Sequence, residues 1–220
     1  MKALIYKELK LCLNPQILIF LFLSGLVAIP SWPSLTAFVY PLAGLLVLFS
    51  SSAANHDIEF AAMLPIAKKD VVKGKIILVL LLEMASVIIS IPFAIIKVLI
   101  MNPMMPADQK YPELGINFAL YGFVFLIYGI FNLLFLCLYY KNLSHPIIPQ
   151  LIATITSSLI LMIIMICFIL LPGVSVLVNQ FEGSGLYLQL GIFVGGIIIL
   201  LISSFLGLKV AQKDFEVVDL

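Results

Sequence analysis

The sequence predicts an all-α integral membrane protein with six transmembrane helices and both termini in the cytoplasm. Of its 220 residues, 63% are hydrophobic and only 10% are charged, whereas a soluble domain has about 45–50% apolar and about 25% charged residues. The apolar residues form runs long enough to cross a bilayer as helices. Lysines are concentrated on one side of these runs. This composition excludes a soluble domain, and it excludes a disordered chain because such chains are poor in Ile, Leu and Phe.

Residues 1–14 predict an interfacial amphipathic helix on the cytoplasmic leaflet. At helical spacing, Lys7 and Lys10 lie on one face and apolar residues lie on the other. The apolar face consists of Ile5, Tyr6, Leu9, Cys12 and Leu13. Pro15 separates this helix from the apolar run that follows. The alternative is a simple positively charged flank of the first span.

Six apolar runs predict membrane spans within a single transmembrane domain that covers residues 1–220. The spans comprise residues 16–32, 35–54, 76–101, 115–140, 147–171 and 186–208. Their apolar residues surround each helix, as expected where lipid or another helix covers every face. Ten of the twelve lysines lie on the same side as the N-terminus, and only Lys110 lies in the opposite loops. The positive-inside rule therefore places both termini in the cytoplasm.

Residues suited to catalysis, metal binding or nucleic-acid binding are scarce. The chain has two histidines and three cysteines, and none has the spacing of a metal site. It has no arginine, which nucleic-acid-binding surfaces commonly use. Gly74 and Lys75 resemble the end of a phosphate-binding loop, but Lys69 stands where that loop requires Gly. We therefore expect no catalytic, metal or cofactor-binding residues in this chain, and no nucleic-acid partner.

Three polar residues within the predicted spans are candidates for a functional role: Glu83, Lys97 and Asn132. Lys97 is near the outer end of the third span, where its ammonium can reach the interface. Glu83 lies deeper, where an acid costs up to a few kcal/mol unless it is paired, protonated or facing water. It is either a cavity-lining or partner-pairing acid, or a protonated acid bonded to a neighbouring serine or backbone group. Asn132, in the fourth span, is the next polar candidate.

Gly191 and Gly195 form a G-x-x-x-G pattern in the sixth predicted span. Small residues at this spacing typically let two membrane helices pack closely. We therefore expect this pair to lie at a helix–helix contact.

The segment between the second and third spans, residues 55–75, is the most informative part of the sequence, and we call it the connector. It mixes apolar residues with acids and lysines, and Pro65 divides it into two helices. A link between two helices typically needs about two to eight residues, so this one is long, and it carries an apolar face. The connector is therefore predicted to dock on a cytoplasmic partner. The alternative is an amphipathic helix lying on the lipid surface.

The connector, the amphipathic start and the six spans resemble the membrane subunits of ABC-2 type transporters. The connector residues that carry the resemblance are Asp57, Glu59, Leu64, Pro65, Lys69, Asp70, Val71 and Lys75. The resemblance implies that the connector is the main coupling helix, seated in a groove of a separate ATPase subunit that binds ATP and Mg. The ATPase-coupling residues expected on this basis are Asp57, Glu59, Phe60, Met63, Leu64, Pro65, Lys68, Lys69, Asp70, Val71 and Lys75.

The resemblance also implies further partners and a location. Two copies, or one copy and a sister permease, are expected to line a central path in the bacterial cytoplasmic membrane. Small permeases of this kind include exporters of phenol-soluble modulins and lantibiotics. The expected cargo is therefore an amphipathic peptide, a toxin or a hydrophobic small molecule. The loop at residues 172–185 is short for the extracellular re-entrant helices of the family.

Two other functions fit parts of the sequence. A membrane immunity or assembly protein that transports nothing would also use the connector to bind a partner. A proton-driven secondary transporter would use Glu83 as its proton carrier.

Overall fold

The computed structural model describes residues 6–7, 10, 14–30, 32–63, 66–101, 114–143, 145 and 147–217. Within these residues the regular structure is entirely helical. The helices are α1 (Pro15–Phe22), continued by a 3₁₀-helix (Leu23–Ala28), a second 3₁₀-helix (Ser34–Phe38), α2 (Val39–Ala54), α3 (Asp57–Met63), α4 (Lys68–Ile96), continued by a π-helical turn (Lys97–Met101), α5 (Phe118–Tyr139), α6 (Ile147–Leu170), α7 (Pro172–Asn179) and α8 (Ser184–Val217). The all-α prediction is therefore confirmed for the described part of the chain.

Five helical segments are long and apolar enough to cross a membrane. They are Ser34–Ala54, Lys68–Ile100, Phe118–Tyr139, Ile147–Leu170 and Ser184–Val217. They correspond to the second to sixth predicted spans, with boundaries that differ by a few residues at most ends. The third and sixth spans extend furthest, because α4 begins inside the connector and α8 continues past the apolar run.

The first predicted span is a shorter apolar helix, Pro15–Ala28. Its α-helical and 3₁₀ parts together rise roughly 24 Å, less than the hydrocarbon core of about 30 Å. It ends shortly before Pro30 and Pro33, which interrupt helical hydrogen bonding. A sixth crossing therefore stays a prediction, as does the side on which the termini lie. The predicted interfacial helix at 1–14 lies mostly outside the described residues.

The centre of the bundle is the contact between α5 and α8, which is the most extensive between any two helices described. Gly122 and Gly196 let the two backbones touch. A Cβ atom added to Gly122 would lie 2.6 Å from the carbonyl oxygen of Ile192, and one added to Gly196 would overlap the carbonyl oxygen of Gly122. Gly191 and Gly195 make no such contact with the described residues of the same chain, because a Cβ at either would meet no atom within 4 Å.

Aromatic side chains join α2, α5 and α8 at the end of the bundle where the connector lies, which we call the connector end. The Phe49 ring packs on Phe135 with centroids 4.3 Å apart, and Tyr139 packs on both rings. Tyr140 meets Phe215 of α8 at 5.3 Å. Edge and tilted ring pairs of this kind add stabilisation beyond the apolar area that they bury. The helices at the connector end are therefore held together by aromatic packing.

Lys97 closes the opposite end of the bundle. Its ammonium donates to Ser34 Oγ at 2.8 Å and to the carbonyl oxygen of Trp32 at 3.2 Å. The side chain is only 3% exposed. The turn before α2 therefore supplies its acceptors within the protein, and its position relative to a membrane interface stays a prediction.

The loop after α6 contains a helix of its own, α7, at the end opposite the connector. Asn117, which begins α5, donates to the α7 carbonyl of Val178 at 3.0 Å and to Asn179 Oδ1 at 3.1 Å. Gln189 of α8 donates to Val178 and to Gln180 at 2.8 Å each. These bonds satisfy the carbonyl end of α7 and fix it across the starts of α5 and α8.

Candidate functional site

A sharp turn between α2 and α3 positions the start of the connector. His56 adopts a positive φ of 51°, in the left-handed region where Asn, Asp and His are enriched among residues other than glycine. Its carbonyl oxygen then accepts a hydrogen bond from the backbone N–H of Phe60 at 3.0 Å, which starts α3. The reversal brings the Asp57 side chain back towards Ser52, on the last turn of α2.

Asp57 is the centre of a partly buried charge cluster. Its Oδ2 accepts from the Lys75 ammonium at 2.6 Å and from Ser52 Oγ at 3.0 Å, and its Oδ1 pairs with Lys7 at 2.5 Å. Burial raises the pKa of Asp57, but the charges and hydrogen bonds of Lys75 and Lys7 outweigh it and lower the pKa to about 2. The carboxylate therefore stays ionised and holds two ammonium groups together.

Several residues of the expected coupling set face the bundle. Lys75 is only 3% exposed, and its ammonium also donates to Ser52 at 2.8 Å and lies 5.8 Å from the centre of the Phe49 ring. Val71, one turn earlier, is buried as well. Asp57 and Lys75 therefore join the two halves of the connector to each other and to Ser52 of α2, while Val71 is buried one turn before Lys75.

Other residues of the set lie on the outer surface of the connector. Phe60 is 56% exposed, whereas phenyl rings are among the side chains most often buried in folded proteins. Lys69 and Asp70 are also substantially exposed, and Lys68 is half-buried. Leu64 and Pro65 lie outside the described residues. Glu59 and Met63 belong to α3, but their side chains are outside the described part.

The end of α8 contacts the connector, which the sequence analysis missed. Glu216 pairs with Lys69 at 2.9 Å, and Gln212 Nε2 donates to the Lys69 carbonyl oxygen at 3.1 Å. The Lys68 ammonium lies 5.8 Å from the centre of the Phe215 ring. The three α8 residues occur at i, i+3 and i+4, one helical face, in a polar tail that follows the last apolar run. This spacing is the sequence pattern that could have indicated a contact face at the end of α8.

A second group of polar residues lies inside the membrane-spanning part, and we call Glu83, Ser86, Tyr128, Asn132 and Ser204 the polar cluster. Asn132 Nδ2 donates to Glu83 Oε2 at 3.0 Å and to Ser204 Oγ at 3.2 Å. Ser86 and Tyr128 share a hydrogen bond of 2.7 Å. Glu83 is 1% exposed, and its carboxyl group is hydrogen-bonded to the side-chain amide of Asn132 on α5. Its Oε1 and Asn132 Oδ1 lack hydrogen-bond partners among the described residues.

No three His, Cys, Asp or Glu side chains come together as a metal site in the residues that the structure describes. The two sites provide hydrogen bonds, ion pairs and an exposed apolar side chain. The connector offers an exposed apolar anchor on a charged helix, and the polar cluster links α4, α5 and α8.

The amino-acid sequence matches the family model described as "ABC-2 family transporter protein" over residues 3–212. This match contains both the connector and the polar cluster. No curated protein and no solved structure matches the chain.

Proposed function

The chain belongs to the ABC-2 family of transporter proteins, and from that premise we propose that it is the membrane permease subunit of an ATP-driven exporter. Six spans cross the bacterial cytoplasmic membrane, with both termini in the cytoplasm. A separate ATPase subunit binds ATP and Mg and docks on the connector. Two copies of this chain, or one copy and a sister permease, enclose the path. The cargo is an amphipathic peptide, a toxin or a hydrophobic small molecule.

The two-sided character of the connector is the observation that carries this proposal. Phe60 presents a large apolar side chain outwards, of the kind that anchors a helix in a partner's groove. On the inner side, Asp57 and Lys75 join α3 to α4 through a buried ion pair. A coupling element needs both properties, since it must bind the motor and must also be attached to the helices that move.

The attachments give a route for mechanical coupling. A motor that closes on ATP shifts α3, and the Asp57–Lys75 pair passes this shift to α4. The Lys69–Glu216 pair joins the same helix to the end of α8. Movement of these helices as rigid bodies tips the bundle between two openings. ATP drives the change only if the connector's contacts with the motor differ between the two states.

The lipid-facing helices support an apolar or amphipathic cargo. Much of the outward surface of α6 and α8 consists of large aliphatic side chains. A cargo that enters from the bilayer therefore meets side chains as apolar as itself, whereas a strongly charged solute finds few partners there.

The test is capture of the ATPase by the purified chain. Phe60→Asp places a charge on the docking face, and we expect it to abolish co-purification of a nucleotide-hydrolysing subunit identified by mass spectrometry. The matched control is Phe181→Asp, because Phe181 is 60% exposed and lies at the opposite end of the bundle. Normal capture by Phe60→Asp, or equal loss in both variants, contradicts docking on the connector.

A proton-driven secondary transporter is the second candidate, because Glu83 is a buried acid with an oxygen that lacks a partner among the described residues. This candidate requires transport without ATP and loss of transport in Glu83→Gln. The proposed permease requires ATP and tolerates that substitution, so the same two measurements separate the candidates.

A further inference from the structure

An open apolar groove of about 540 Å³ lies between α4 and α8 on the surface of the bundle. Two turns of each helix form its walls. Its lining consists of Lys73, Ile76, Ile77, Leu80, Leu201, Ser204, Phe205 and Leu208. Six of these eight side chains are apolar, so the groove is suited to a hydrocarbon chain.

The groove is almost wholly apolar, and Lys73, at one end, is the one charged residue in its lining. Because α4 runs away from the connector and α8 runs towards it, Lys73 and Leu208 lie at the connector end. Leu80 and Leu201 lie deeper. Residues 73–80 cover roughly 10 Å along α4 at 1.5 Å per residue, within the half-thickness of about 15 Å of a bilayer core. The groove therefore runs from the interface into one leaflet.

Two lysines border the charged end. Lys209 follows Leu208, and its ammonium lies 4.6 Å from the centre of the ring of Phe205, a lining residue. The Lys73 ammonium lies 3.3 Å from Asp70 Oδ1 in a half-exposed pair. An ammonium has three donors, so this single contact leaves Lys73 able to bind a further anion. Around this end, residues 68–75 of α4 and 209–217 of α8 carry six lysines and three acids.

We propose that this groove binds an anionic phospholipid of the leaflet on the connector side, with the phosphate at Lys73 and Lys209 and one acyl chain along the apolar walls. Basic pockets between membrane helices on the cytoplasmic side recognise anionic headgroups in this way. The apolar walls hold the chain, and the two ammonium groups select an anionic headgroup over a zwitterionic one. The site does not require an ATPase or a cargo.

The ligand would touch two elements already described. Lys73 lies in the connector, and Ser204 accepts the hydrogen bond from Asn132 of the polar cluster. A lipid in the groove thus bridges the connector end of α4 and the membrane-embedded part of α8.

The experiment is native mass spectrometry of the purified full chain in detergent, titrated with phosphatidylglycerol or with phosphatidylcholine of the same acyl chains. We expect the chain to bind one molecule of phosphatidylglycerol in preference to phosphatidylcholine. A lysine near the membrane surface contributes about 1 kcal/mol to anionic-lipid binding, so Lys73→Gln and Lys209→Gln should each weaken the affinity about fivefold and the double variant more. Lys10→Gln combined with Lys141→Gln removes two exposed lysines elsewhere and should leave the affinity unchanged.

Ile77→Trp tests the acyl-chain part separately, because it fills the groove and keeps both lysines. It should weaken phosphatidylglycerol binding at least fivefold, with helical content by circular dichroism unchanged. Equal binding of phosphatidylcholine, equal loss in the Lys10/Lys141 control, or full binding by the Lys73/Lys209 double variant each overturns the proposal. So does occupation of the groove by a second copy of the chain, seen as a dimer that Ile77→Trp dissociates. The lipid site does not depend on the proposed docking of an ATPase, so failure of the chain to capture an ATPase would not change the expected lipid affinities.

Discussion

The Lys75 ammonium lies 2.6 Å from Asp57 Oδ2, 18 residues earlier in the chain and across the turn of the connector. The pair closes the connector on itself, because Asp57 begins α3 and Lys75 lies on the second turn of the long helix α4. With Ser52 hydrogen-bonded to both residues, three consecutive helices meet at one polar point.

Asp57→Asn should destabilise the protein strongly. It leaves the buried Lys75 ammonium without its carboxylate, and breaking a buried pair from one side costs about 3–5 kcal/mol. Thermal unfolding in detergent, followed by circular dichroism, measures the loss. Adding Lys75→Met removes the stranded charge and should restore most of the stability. Asp70→Asn, in the exposed pair with Lys73, is the control, with an effect below about 1 kcal/mol. If Asp57→Asn behaves like this control, the buried pair does not hold the connector.

Stability should fall in acid because of Asp57. Its pKa is lowered from 3.8 to about 2 in the folded protein, so ionisation favours the folded state. That contribution, at most about 2 kcal/mol and less after screening by solvent, is complete above about pH 5 and is lost as the pH falls through 2. Unfolding temperatures measured between pH 5 and pH 2 should show this decline, and Asp57→Asn should flatten it. An equal decline in Asp57→Asn would assign the acid sensitivity to other groups.

Substitution by alanine should affect stability differently at two adjacent glycines. Gly196→Ala places a methyl group against the Gly122 backbone, and such overpacking typically costs about 1–3 kcal/mol. Gly195→Ala adds the same group in open space and should be neutral or stabilising, because alanine favours helix by up to about 1 kcal/mol. Unfolding in a denaturing detergent, monitored for both variants, checks this. Equal effects would place the α5–α8 contact elsewhere.

Glu83→Gln should retain stability and transport. The side-chain carbonyl oxygen still accepts from Asn132 Nδ2, and the amide nitrogen replaces Glu83 Oε1, which has no hydrogen-bond partner among the described residues that the change would break. Glu83→Ala instead removes the acceptor and should cost about 1–3 kcal/mol. Stability in detergent and ATP-dependent transport in proteoliposomes are the two measurements. A stable Glu83→Gln protein without transport would favour the proton-driven alternative.

Composition and run length were sufficient to predict the five long apolar helices, because a membrane helix must satisfy its own backbone and be apolar on every side. Because such a helix is apolar on every side, its sequence does not indicate which face packs against a neighbouring helix. The pattern of Gly191 and Gly195 predicts close packing without saying which face meets a neighbour, and the contact uses Gly196, one residue later. A single residue turns a helical face by about 100°.

The candidate site was predictable only where its contacts are local. The charge pattern and Pro65 mark the connector, and the depth of Glu83 marks a polar position. The Lys69–Glu216 pair joins residues 147 positions apart, and no periodicity connects them. Likewise, Lys97 has its acceptors in a turn more than sixty residues earlier, so its burial depends on how α4 packs against that turn.

Lys7 and Glu216 lie near the two ends of the sequence, and both are bound to the connector. A purification tag or fluorescent protein fused close to either residue would therefore crowd the surface whose binding is to be measured. The turn at Gly183, whose φ is 58° and whose Cα faces open space, is at the far end of the bundle. An epitope inserted there would report on the full-length molecule without obstructing that surface.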